Sequence, residues 1–186
     1  MSKKMLFGLL GIVGGGIVLY AVVASDIFPA AIVGSDVIST GEHTKQFVAA
    51  KQYYEAAAQA NKVKLEPASF VAELRRASLD KLIENRLIQT EVRRAYPDAE
   101  AAAQQRVVVA LPENDTNRTA LKKIYGLSVP DFRRMVLLPE ARREFLVQKM
   151  GGTEAAALIA RLKKAARVMI FSPKFSWTGS EVKAGK

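Results

Sequence analysis

The apolar residues of the stretch FVAELRRASLDKLIENRLIQTEVRR, residues 70–94, fall on two sides of a helix. At 100° per residue, Leu79, Leu82, Ile83 and Leu87 share one side, and Phe70, Leu74, Ala77, Ile88 and Val92 share the roughly opposite one. A helix on a bundle surface needs a single apolar stripe. Two stripes predict a central helix covered from both sides, with Ser78 as the one place where it could break. Pro67 after Glu66 suits its first turn and Arg93–Arg94 its last, and Pro97 turns Tyr96 away from helical geometry.

Around this core the pattern predicts further helices. Ser39 with Glu42 three residues later is a capping-box signature opening an alanine-rich helix to about Val63. His43, in its first turn among polar neighbours, reads as a solvated helix residue. A short alanine-rich helix spans Asp98–Leu111, and Pro112–Asn117 is a polar turn whose Asn-x-Thr triplets read as turn and cap residues. Thr119–Tyr125 forms a helix stopped by Gly126. Ser128 with Asp131 opens another that runs to Met150 with a kink at Pro139, its four arginines (133, 134, 142, 143) on a solvated face. Thr153 caps the last helix, Glu154–Ala166.

Two β-prone pieces stand apart from the helices. Ala31–Ile38 carries a Gly-Ser-Asp turn, and Val168–Phe171 lies at the far end of the helical region. An isolated strand leaves its backbone donors unpaired, so Ile32 and Val33 are expected to pair with Met169–Phe171. The predicted class is all-α: a multi-helix bundle with a minimal strand pair joining its two ends, preceded by a single N-terminal transmembrane helix. The domain plan is a cytoplasmic N-terminus (1–4), an anchor (5–24), a linker (25–30), the helical domain (31–173) and a flexible polar tail (174–186).

The anchor rests on Met5–Ala24, 20 uncharged residues, enough at 1.5 Å per residue to cross a hydrocarbon core of ~30 Å. Lys3 and Lys4 precede it and Asp26 follows, so the positive-inside bias is expected to put the N-terminus in the cytoplasm and everything after Ala24 outside. Val22-Val23-Ala24 also suits a signal peptidase, so a cleaved signal peptide is the alternative; the apolar core is longer than the ~7–15 residues of that class, which favours the retained anchor. One GxxxG spacing, Gly11 to Gly15, permits helix pairing.

Composition narrows the chemistry. There is no cysteine and one histidine, which excludes disulfides, thiolate chemistry, histidine-rich metal sites and a confident Ser-His-Asp set. Asp80 and Glu84 share a helix face as solvated acids, and Gly14–Gly16 lacks the lysine of a phosphate loop. The chain reads as a non-enzyme without a cofactor. Its formal net charge of +10 suits an anionic surface partner, such as lipid headgroups or a polyanionic polymer, while no nucleic-acid motif interleaves aromatic and basic residues.

Four stretches in order carry a family resemblance: the turn Val33-Gly34-Ser35 before a capped helix, LDKLIENRLIQTEVRR (79–94), LSVPDFRRMVLLPEARREFLVQKM (127–150) and LIARLKKAARVMIF (158–171). Together with the anchor they resemble the N-terminal chaperone domain of SurA- and PrsA-type foldases, over roughly residues 31–173. The chain departs from that pattern in its opening turn, where the family's glycine sits one place later. It also has only Gly151-Gly152 where most members insert a parvulin-type isomerase domain. The resemblance therefore implies binding of unfolded or exported polypeptides without isomerase activity. An apolar groove lined by Tyr53, Tyr54, Tyr125, Phe132, Met135 and Phe145 is the candidate peptide-binding site, since aromatic and methionine side chains adapt to varied clients. The competing expectation is a structural or adaptor subunit docking one fixed partner in a membrane complex.

Overall fold

The computed structural model describes residues 28–63 and 67–185. The anchor, residues 5–24, and all but the end of the linker lie outside the described residues. Among the described residues, no helix is long and apolar enough to cross a membrane. The fold is mostly helical with two small sheets.

Strands β1 (Pro29–Val33) and β2 (Asp36–Ser39) form an antiparallel hairpin in which Ile32 faces Val37. Gly34, at φ 63°, supplies the left-handed turn that an L side chain resists. On its other edge β1 pairs antiparallel with β3 (Val168–Ile170), giving the order β2-β1-β3. The ends of the helical region are therefore joined as the pairing argument requires. Val33 meets Val168 and Ile32 meets Met169, so the partners begin one residue earlier than Met169–Phe171.

Ser39 closes β2 and caps α1 (Thr40–Ala60), accepting from the Glu42 amide at 3.0 Å. The central helix, α2 (Pro67–Ala95), is unbroken. Its Ser78 hydroxyl is buried but donates to the Leu74 carbonyl at 2.7 Å, so the polar residue is satisfied within the helix and no break follows. Leu79, Leu82 and Ile83 pack against Ala31, Val33 and Ile38 of the first sheet. On the opposite side, Ile88 and Val92 pack against Leu146, Ala155, Leu158 and Ile159. Both stripes of α2 are covered. Fully burying a leucine or isoleucine stabilises by about 1.5–3 kcal/mol, so these two seams hold the domain around one helix.

Pro97 begins α3 (Pro97–Ala110), with Tyr96 outside helical geometry at φ −144°, ψ 62° before it. Helix α4 (Asp115–Tyr125) starts four residues ahead of Thr119, because the Asn114 side chain accepts from the Asn117 amide at 2.8 Å and caps it there. Gly126, at φ 68°, ends it, and Gln52 of α1 donates to the Lys122 and Lys123 carbonyls at 3.2 and 3.0 Å.

Where a kink was expected at Pro139, the helix changes form. Helix α5 (Val129–Phe132) passes through a π-turn, Arg133–Leu137, into α6 (Leu138–Met150). Proline lacks the donor that would close the ordinary turn and its ring crowds the preceding carbonyl; widening the helix by one residue, with the Leu138 amide on the Arg133 carbonyl, accommodates both. Helix α7 (Gly152–Ala165) has Gly151 at its N-cap position, and Thr153 makes no side-chain cap.

Residues 175–184, part of the stretch expected to be a flexible tail, form a hairpin of β4 (Phe175–Trp177) and β5 (Val182–Ala184). Val182 is fully buried in the core beside Leu79 and Ile83. Its amide donates to Asp80 at 2.8 Å and its carbonyl accepts from Arg76. Charged neighbours made this segment read as polar, yet Phe175, Trp177 and Val182 supply an apolar face. The mostly helical expectation holds, while the second sheet and its docking go beyond the single strand pair expected and take the place of the flexible tail.

Candidate functional site

Helix α1 places Tyr53 and Tyr54 side by side near its exposed end, 42% and 45% exposed. From them runs a succession of rings on four helices. Phe70 of α2 meets Tyr54 edge-on at 5.5 Å, Tyr54 meets Tyr53 at 5.6 Å, Tyr53 stacks on Tyr125 of α4 at 5.3 Å, and Tyr125 leans on Phe132 of α5 at 4.8 Å. These are offset and edge geometries that aromatic quadrupoles favour. Met135 is buried in the same cluster as Phe132, with Ala49, Leu121, Leu127 and Val129. Burial and the neighbouring Tyr53 push the Tyr125 hydroxyl above its ordinary pKa, which keeps it neutral.

Five of the six candidate residues thus come together. Phe145 does not: it meets Tyr96 at 5.2 Å on the other side of the bundle. There it lines a second apolar surface, a groove of about 320 Å³ between α3 and α6 floored by Ala99, Ala103, Val107 and Ala141. Beside the groove, Val108 and Val109 of α3 are 51% and 81% exposed. The signal for the groove was present as small residues four apart in α3, but an alanine-rich helix carries that pattern whether or not its face is covered.

The four arginines of the α5–α6 segment do not form one solvated face. Arg142 is buried and clasps Glu100 of α3 with two bonds of 2.7 Å. Arg93 and Gln104 add bonds of 3.2 Å each to the same carboxylate. The Arg142 hydrogen bond outweighs burial and holds the Glu100 carboxyl down at about 2. Arg133 donates to the Leu111 carbonyl at 2.9 and 2.6 Å, Arg143 bonds Glu84, and Arg134 bonds Asp131 at 2.7 Å.

A second cavity, about 360 Å³, opens between the start of α1, α2 and the π-turn. Arg86, Arg93, Arg134 and Arg142 reach it, over an apolar floor that includes Leu82, Met135 and Leu138. Glu42 lines it and pairs with Arg86 at 3.1 Å.

No catalytic arrangement emerges from the acids singled out in sequence. Asp80 and Glu84 both face Lys163, at 3.3 and 3.1 Å. Burial alone would raise the Glu84 carboxyl, but Lys163, Arg143 and Lys81 hold it below its usual value. His43 is half-buried rather than solvated, with Nε2 2.9 Å from the Arg75 carbonyl, and burial pushes its pKa down. Among the described residues, no group of three or more His, Cys, Asp or Glu side chains could hold a metal ion. Compared with family models, with curated proteins and with solved structures, the chain matches none.

Proposed function

We propose that this protein holds apolar segments of unfolded or exported polypeptides, in the manner of the foldase chaperone domains it resembles and without isomerase activity. Residues 5–24 tether it, so that residues 28–185 work on the outer face of a cytoplasmic membrane. The observation that supports this reading is the ring succession from Phe70 to Phe132, with Tyr53 and Tyr54 nearly half exposed. Tyrosines give rigid, amphipathic contact area at low conformational cost, and their hydroxyls tolerate water when no client is bound. The basic charge suits a position near anionic headgroups.

The test is suppression of aggregation. The full chain, in several-fold excess, keeps a chemically unfolded client in solution, and Tyr53→Ala with Tyr54→Ala loses that effect while the helical signal is retained. Equal aggregation with and without the wild-type chain refutes the reading. A fixed partner in a membrane complex is the second reading, favoured by the outward-facing Val108 and Val109. Crosslinks from α3 that yield one stoichiometric protein in intact cells favour that reading; a spread of exported proteins captured from Tyr53 and Tyr125 favours the first.

A further inference from the structure

The cavity beside the π-turn has more guanidinium donors than acceptors. Arg86 spends one amino group on both oxygens of Glu42, at 3.1 Å each. Arg142 and Arg93 share Glu100, and Arg134 uses a single amino group on Asp131, an acid that also serves Lys45 at 3.1 Å. Gln89 sits among them with one oxygen to offer. Turned one way it accepts from Arg86 at 3.3 Å; turned the other, it accepts from Arg93 at 2.7 Å and from Arg142 at 3.3 Å. It cannot serve both sides, and each guanidinium carries five donors in a planar fork.

The shape of the place adds a second constraint. The same cavity is floored by Leu82, Met135, Leu138 and Pro139, and Met135 also belongs to the aromatic cluster. Its wall is the π-turn, an irregularity that recurs at functional sites. An inorganic anion would leave the apolar floor uncovered, and an apolar side chain alone would leave the remaining guanidinium donors to water.

We propose that this cavity receives the C-terminal carboxylate of a bound polypeptide whose last residue is apolar. The carboxylate takes the free donors of Arg86 and Arg134, and the terminal side chain rests on Met135 and Leu138. Paired forks and a carboxylate match in geometry, and such charge-assisted bonds are the strong ones. The inference rests on the polypeptide-holding function and narrows it to chain ends.

Fluorescence anisotropy on the full chain tests it, using a labelled apolar peptide that ends in leucine, as the free acid and as the C-terminal amide. Amidation is expected to weaken binding at least about ten-fold, the size of one or two lost charge-assisted bonds. Arg86→Gln with Arg134→Gln is expected to bring the acid down to the level of the amide without moving the amide. Acid and amide binding alike overturns the assignment and leaves polypeptide holding intact, whereas no binding of either peptide overturns both. An amidated peptide with an internal glutamate that binds as tightly as the free acid also overturns it, since the site would then read any carboxylate. The acid–amide comparison is made on the wild-type chain, so it decides even where the double variant fails to fold.

Discussion

Replacing Arg142 with methionine removes the guanidinium from a buried pair while keeping a side chain of similar reach. Glu100 then stays buried with only the weaker Arg93 and Gln104 bonds. Stranding one charge of a buried pair costs about 3–5 kcal/mol. The pKa gives an independent figure: a carboxyl held at about 2 against an ordinary 4.5 corresponds to roughly 3 kcal/mol of native-state preference for the charged form. Because the folded pKa is the lower one, that stability is fully present above the unfolded value, near 4.5, and is lost as pH falls toward about 2. Urea unfolding of the full chain, followed by circular dichroism across this range, reads both effects. Arg142→Met is expected to lower stability near neutral pH by about 3–5 kcal/mol and to flatten the decline on acidification. Adding Glu100→Gln to it recovers part of the loss, since the stranded charge is gone. An Arg142→Met chain within about 1 kcal/mol of wild type, with its acid slope unchanged, would refute the claim that this pair joins α3 to α6.

Val182→Ala removes two methyl groups from a fully buried position beside Leu79; a loss of about 2 kcal/mol is expected in thermal or urea unfolding. Gly126→Ala places a Cβ at a left-handed residue and against the Gln52 side-chain oxygen, disturbing the bonds that Gln52 makes to the end of α4. It should destabilise by about 1 kcal/mol or more, and a Gln52→Ala background should reduce that cost. Trp177 buries an indole N–H with no partner, so Trp177→Phe is expected to leave the unfolding midpoint within about 1 kcal/mol of wild type or to raise it. Ala102→Trp fills the α3–α6 groove; if that groove holds clients in addition to the aromatic face, aggregation suppression falls while the melting temperature holds.

The sequence made the helices legible because their signals are local. Two stripes on residues 70–94 require two coverings, and Ser39, Ser128 and Gly126 mark ends through bonds made within one turn. The β1–β3 pairing followed from unpaired backbone groups, which is a global constraint stated in local terms. What stayed hidden depends on distant partners. Arg142 looks like any surface arginine until Glu100, 42 residues earlier, closes on it. In the 175–184 hairpin Phe175 and Trp177 flank a serine and Val182 sits between Glu181 and Lys183, too short a pattern to outweigh its polar neighbours until α2 offers Asp80 and Arg76 to its backbone. The candidate aromatics were chosen by residue type, and type alone does not say that Phe145 faces Tyr96 while the others run ring to ring.

The docking of Val182 onto α2 spans 106 residues between Arg76 and its carbonyl partner. A chain synthesised from its N-terminus therefore produces Leu79 and Ile83 long before the hairpin that seals them exists. Through that interval the first hairpin can cover only part of this stripe, and the place that Val182 fills stays open. Assembly is timed by its latest-arriving strand, so slowing translation between the two should favour clumping over maturation.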